Sequence, residues 1–158
     1  MKVSIRDLKV EDAAIAWQWR NDPDIWKYTD RGERPKITVE TERDWITEVI
    51  QREKEKRFAI CVGEAQKYVG NVQLTDINNE EAEFHIFIGE KEFWGKGIAT
   101  KATNLLLNYA ISKLKFKKIN LKVSKENIAA IKVYERIGFV VTDEQDRWLL
   151  MSYFVPMG

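Results

Sequence analysis

Two short stretches of the chain hold residues whose spacing suits chemistry on a bound anion. The first is Phe93-Trp94-Gly95-Lys96-Gly97-Ile98-Ala99-Thr100, which lies between a predicted strand and a predicted helix. Two glycines in a turn let the backbone approach a ligand closely. Free amides at a helix start then face that ligand, and the helix dipole favours an anion, so a phosphate or pyrophosphate is the natural guest. The plainer alternative is a tight turn that needs glycine only for its shape. Two familiar phosphate loops do not fit. A P-loop requires G-x-x-x-x-G-K-[ST], but five residues separate Gly89 from Gly95, and Gly97 stands where Ser or Thr belongs. The Rossmann fingerprint needs Gly or Ala where the chain has Thr100, and no acidic residue ends a following strand at the expected distance.

The second stretch starts at Asn127 and reaches Tyr134 seven residues later, closing with Glu135-Arg136-Ile137-Gly138-Phe139. Seven helical residues span two turns, ~10.5 Å, and bring both ends to nearly the same face. An Asn at the start and a Tyr two turns in would then line one groove. Read separately, Asn127 is a helix cap and Tyr134 a core aromatic.

These stretches need elements to position them. Residues 3–8 alternate and predict a strand, and Asp12 can cap a helix to about Arg20, stopped by Asn21-Asp22-Pro23. Residues 24–37 show no period and read as a loop. Thr38 can cap a second helix to about Lys54, with Trp45, Ile46, Val49 and Ile50 as its stripe. Residues 57–63, 67–77 and 81–89 predict three strands joined by short turns, an antiparallel meander. A helix over about 97–113, a strand over 118–123 and a helix over 128–137 follow, the last ended by Gly138. Two strands, about 139–143 and 147–154, complete the order β-α-α-β-β-β-α-β-α-β-β. The strand-helix-strand unit over 81–123 requires a crossover between plausibly parallel strands.

Composition narrows the function classes. The 158 residues suit one domain over 1–158 in a mixed α/β class. Lys plus Arg number 26 against 25 Asp plus Glu, a net charge of +1, so bulk charge does not point to nucleic acid. The longest apolar run, Phe58–Val62, is far too short to span a bilayer, and the start shows no apolar signal segment. A cytoplasmic location is the expectation, with neither membrane nor metal implied. The single Cys61 forms no intrachain disulfide and reads as core. Lys113, Lys115, Lys117, Lys118, Lys122 and Lys125 read as a solvated basic face, some of which could meet a phosphate.

Taken together, the two stretches and the element order resemble the GCN5-related N-acetyltransferases (GNAT). The loop Trp94-Gly95-Lys96-Gly97-Ile98-Ala99 is similar to the family's R/Q-x-x-G-x-G/A, with Trp94 at its first position. The run from Asn127 through Tyr134 to Phe139 resembles the family's helix after the fifth strand. The likeness extends over nearly the whole chain. The residues around Arg57-Phe58, Ala82-Glu83-Phe84 and Gly95-Lys96-Gly97 look like the spermidine and ribosomal-protein-alanine branch. Trp19-Arg20-Asn21-Asp22-Pro23 looks more like amino-sugar enzymes.

The resemblance implies a fold in which the fourth and fifth strands splay and acetyl-CoA enters the gap. Its cofactor residues would be Phe87, Ile88, Gly89, Trp94, Gly95, Lys96, Gly97, Ile98, Ala99, Thr100 and Asn127. A backbone amide near Ile88 would stabilise the oxyanion, and Tyr134 matches the general acid. Glu83 and His85 alternate onto one strand face, so either could deprotonate the acceptor, directly or through water. His85 is otherwise a partly buried structural residue. Trp26, Tyr28 and Asp22, with Asp24 and Asp30 nearby, are candidate acceptor-binding residues. One of Trp17 and Trp19 packs inside, and the other could wall the acceptor site. The implied activity is transfer of acetyl to the primary amine of a small molecule, an amino sugar nucleotide or a polyamine. The alternatives are acetylation of a protein N-terminus and a non-catalytic CoA-binding module. Exposed aromatics in the N-terminal half suggest a homodimer or higher homo-oligomer.

Overall fold

Strand β2 (Lys56–Val62) serves two cores at once. Phe58, Ile60 and Val62 join the larger, whereas Ala59 and Cys61 join the smaller on the opposite face. A strand covered on both sides has no solvent face to fill, so its buried part, Phe58–Val62, is apolar throughout. Helix α3 (Ile98–Ser112) covers the larger core through Ala102, Leu106 and Ala110. Helix α1 (Ala13–Arg20) and helix α2 (Val39–Val49) cover the smaller through Ala13, Ala16, Trp19 and Ile46. These features come from a computed structural model, which describes residues 1–29 and 35–156.

The remaining strands are β1 (Val3–Asp7), β3 (Lys67–Asn78), β4 (Glu81–Ile88), β5 (Lys118–Ser124), β6 (Val140–Gln145) and β7 (Trp148–Phe154), with helix α4 (Ile128–Ile137) after β5. They form one sheet in the order β1-β2-β3-β4-β5-β7-β6. The expected mixed α/β order is therefore observed. β4 and β5 pair in parallel, and every other neighbouring pair is antiparallel. The β4–β5 register holds only at Glu81–Lys118, Ala82–Ile119 and Glu83–Asn120. Beyond Glu83 the two strands part, which opens a gap in the middle of the sheet.

Two local features depart from the sequence expectation. Asp12 stands at the start of α1 but does not cap it. Its carboxylate instead takes both Arg6 guanidinium nitrogens at 2.7 and 2.9 Å and the Lys9 amide at 2.8 Å. A bidentate ion pair outweighs a single cap bond. Helix α2 stops at Val49 rather than near Lys54. Ile50 is exposed, and residues 51–56 supply no apolar side chain, so a longer helix would bury nothing.

Candidate active site

The glycine loop folds as its composition demands. Gly95 and Gly97 both adopt positive φ, +73° and +76°. Gly97 is the residue before α3, and no side chain caps that end. A Cβ at either glycine would meet no protein atom within 4 Å, so the space over the loop is open. The leading amides of α3 lack intrahelical partners by the geometry of any helix. An uncapped, open helix start of this kind fits a pyrophosphate.

That loop borders a cleft of about 550 Å³, here called the loop cleft. Phe87, Ile88, Trp94, Gly95, Gly97, Ile98, Ala99, Thr100, Asn127 and Tyr134 all line it. Two residues expected there do not. Lys96 turns its ammonium toward the Phe93 ring. Gly89 packs under Trp19, where a Cβ would come within 2.0 Å of the indole, and its amide already donates to Val69 at 2.7 Å. The Ile88 carbonyl accepts from the Trp94 indole at 2.9 Å. The peptide between Ile88 and Gly89 is thus held at both its oxygen and its nitrogen. This gives Trp94 a definite task at the first loop position.

A second cleft, also about 550 Å³, opens along β4 and is here called the strand cleft. Ile25, Tyr28, Ile86, Phe87, Asn127 and Tyr134 line both clefts and form their common rim. Asn127 sits there because its side chain caps α4, accepting from the Ala130 amide at 3.3 Å. Tyr134 is fixed two turns later. Its ring packs edge-on against Phe84 and Phe139, and its carbonyl receives the Gly138 and Phe139 amides that end the helix. Burial pushes its phenol up to about 12, so it stays protonated at neutral pH.

Glu83 and His85 both face the strand cleft, with Nε2 of His85 3.5 Å from a Glu83 oxygen and 3.1 Å from the Thr75 hydroxyl. His85 is exposed rather than a partly buried structural residue. The Glu83 carboxyl is raised above its ordinary value, first by burial and then by Asp76, which accepts a hydrogen bond from the protonated form; Lys122 pulls it back down. Asp76 gave no signal in the sequence. It meets Glu83 at an irregularity near the end of β3, where its φ is +48° and the register slips between Thr75 and Asn78. Lys122, from the basic face noted in the sequence, also lines this cleft, as do Arg20, Trp45, Arg57 and Trp148, which no sequence pattern marks as site residues.

The aromatic and acidic candidates separate cleanly. Trp26 lines the strand cleft, bonded through its indole to the Trp19 carbonyl at 2.8 Å. Tyr28 borders both clefts. Asp22 is instead occupied by the Lys91 ammonium at 2.9 Å and borders a smaller polar recess with Gly89, outside the strand cleft. Asp24 takes the same ammonium at 2.7 Å. Asp30 lies outside the described residues. Trp19 is buried, and Trp17 lines neither cleft. Trp26, Tyr28 and Trp45 turn toward the strand cleft. Cys61 is buried in the smaller core and borders neither cleft. Among the described residues no acidic, His or Cys cluster could hold a metal, and no helix is long and apolar enough to cross a membrane.

Comparison with known proteins agrees with this architecture. The family profile for the acetyltransferase (GNAT) domain matches residues 2–140. A spermidine N(1)-acetyltransferase from Escherichia coli K12 is 34% identical over 156 residues, covering 97% of this chain and 78% of that protein. The acetyltransferase PseH from Campylobacter jejuni (strain 81-176) is 24% identical over 138 residues, covering 87% of this chain and 83% of that one. The crystal structure of spermidine N-acetyltransferase from Vibrio cholerae in complex with CoA and spermine superposes with a TM-score of 0.85 at 27% identity, covering 96% of this chain and 95% of that one.

Proposed function

Because the chain belongs to the GNAT acetyltransferase family and uses acetyl-CoA as its acetyl donor, we propose that it transfers the acetyl group directly to the primary amine of a small molecule, an amino sugar nucleotide or a polyamine, within a ternary complex. The single observation behind this reading is the position of Tyr134. It stands on the rim shared by the two clefts, where the sheet splits. One substrate in each cleft would meet there without a covalent enzyme intermediate.

Each residue's part follows from its surroundings. Acetyl-CoA supplies an activated acetyl as a thioester. The loop cleft would hold its pyrophosphate on the amides leading α3, and the amide near Ile88 would donate to the acyl oxygen. A free alkyl amine has a pKa of roughly 10 and attacks only when neutral. Glu83 would take its proton, directly or through a water. A carboxyl raised by burial and by Asp76 is a better base than an ordinary glutamate. His85 is the alternative base on the same strand face. Tyr134, still protonated at neutral pH, would give its Oη proton to the departing sulfur.

The test is steady-state release of free thiol across a panel of primary amines, alongside a thermal shift with acetyl-CoA. Turnover with at least one small amine is the expected result. A thermal shift with no thiol release for any amine would reduce the protein to a CoA-binding module.

A further inference from the structure

The strand cleft carries more positive charge than a polycation would seek. Among the described residues Arg20, Arg57 and Lys122 line it, with Glu83 as the one carboxylate in the lining and His85 beside it. The partners of the two arginines stand behind them. Arg20 uses Nε on the buried Glu42 at 3.2 and 3.3 Å. Neither of its terminal nitrogens has a hydrogen-bond partner among the described residues. Among the described residues no fully buried side-chain nitrogen or oxygen lacks a partner, so those two terminal nitrogens keep some exposure, and Arg20 lines this cleft. Arg57 gives Nε and one terminal nitrogen to Glu55 and keeps the other. Both guanidiniums stack on Trp45, at 4.4 and 5.0 Å from its centre. Burial holds the Arg57 guanidinium below its ordinary value, Glu55 opposes this, and the Arg52 and Arg20 charges add to the lowering, so an anion between the Arg20 and Arg57 guanidiniums would offset their mutual repulsion.

Resting on the acetyl-transfer reading above, we infer that the acceptor carries an anionic group, phosphate or carboxylate, at the end remote from its reacting amine, and that Arg20 and Arg57 seat this group against Trp45. A guanidinium offers a planar fork that matches either oxyanion. The reacting amine then lies toward Glu83 and Tyr134. A polyamine brings only further positive charge to this wall, which favours the amino sugar nucleotide of the two acceptor classes.

The experiment measures binding to the CoA-loaded protein by calorimetry at low salt, so it does not depend on turnover. Two matched pairs are used: glucosamine 6-phosphate with glucosamine, and 4-aminobutyrate with butylamine. Spermidine is the cationic arm. The anionic member of at least one pair binds about tenfold tighter than its neutral counterpart, the scale of one charged hydrogen-bonded contact. Preference in the first pair alone identifies phosphate, in the second alone carboxylate, and in both a general oxyanion seat. Arg57→Gln removes most of that preference while CoA affinity stays level; Glu55 keeps Arg52 at 3.1 Å, so this variant leaves no lone carboxylate. A paired Arg20→Gln/Glu42→Gln variant tests the second guanidinium without stranding the buried Glu42. Equal affinities within both pairs, tighter binding of spermidine than of either anionic amine, or a preference untouched by Arg57→Gln would overturn the inference. Tight binding of an anionic amine without thiol release would instead sink the acetyl-transfer reading and leave the anion seat standing.

Discussion

The loop cleft and the strand cleft have the same volume and are built from different material. The first is walled on one side by a nearly continuous run, residues 93–100 without Lys96, and by one face of α4, and on the other by the end of β4 and residues 24–28. The second draws on the loop after α1 and on α1, α2, β2, β3, β4, β5, α4 and β7, with many charged or aromatic side chains. A backbone-built wall depends on dihedral angles, and few residue types can reproduce them. A wall of separate side chains can be altered one position at a time without disturbing the sheet. The division suits a reaction in which the donor is fixed and the acceptor is what varies.

Substitutions at five positions test this division. The largest effect belongs to the shared rim. Tyr134→Phe keeps the ring against Phe84 and Phe139 and removes only the hydroxyl, so kcat falls by about 10²-fold while the Kd for acetyl-CoA stays level. An unchanged kcat in single-turnover measurements would remove Tyr134 from the acid role. Next comes the loop cleft. Gly97→Val places a β-branched residue at φ +76°, and the expected rise in acetyl-CoA Kd is roughly tenfold or more. Gly97→Asn accepts that dihedral more readily and still fills the space above the loop. If Gly97→Asn binds acetyl-CoA as tightly as the wild type, the space above the loop is not the phosphate seat.

The strand cleft gives the third effect. Trp45→Ala lowers acceptor kcat/KM by roughly fivefold to tenfold, the scale of a lost pocket contact, and leaves the acetyl-CoA Kd unchanged. Tyr28→Ala, on the rim, weakens both substrates. Equal losses for both substrates in Trp45→Ala would show that the two clefts are not independent.

The smallest effect is a shift in pH. Glu83 acts as a base only once deprotonated, and its pKa is raised, so the acid limb of kcat/KM lies above the ordinary glutamate range. Asp76→Asn removes the carboxylate that favours the protonated form, and Asn tolerates the positive φ of that position. The acid limb should move to lower pH. The stability sign follows the same way. Between the ordinary and the raised value the native state holds more protons at Glu83 than the unfolded chain, so stability falls as pH rises through that window. Asp76→Asn should flatten that slope in urea titrations. A pH profile identical to the wild type would remove Asp76 from any influence on the base.

The same division explains what could be read from the sequence. The order of elements, the glycine turn and the Asn127–Tyr134 spacing are local patterns, written in consecutive residues. The strand cleft is not local. Arg20, Trp45, Arg57 and Trp148 are scattered over 129 residues and carry no spacing that marks them as neighbours. Asp22 looked available for a cationic amine because Lys91, its partner, is distant in sequence. Asp12 looked like a cap for the same reason, since only the fold brings Arg6 across to it. Asp76 was hidden because alternation places it on the other face of β3, and only the irregular register returns it to Glu83.

The parting of β4 from β5 also has a consequence for how the free chain behaves toward solvent. An unpaired strand edge normally invites a neighbouring molecule to add a strand, and proteins guard such edges against aggregation. Here both edges lie within the sheet itself, facing each other across a gap that opens after only three paired positions. The Ile86 and Ile88 amides point away from β3 beyond the last β4–β5 pair and so face the gap rather than a neighbouring strand, while the Ile88 carbonyl is taken by the Trp94 indole. Those amides should exchange with deuterium much faster than the alternate amides of the same strand that bond to β3. A guest with amides of its own can complete the sheet from inside and slow that exchange, so the sheet becomes continuous only while the ligand is in place.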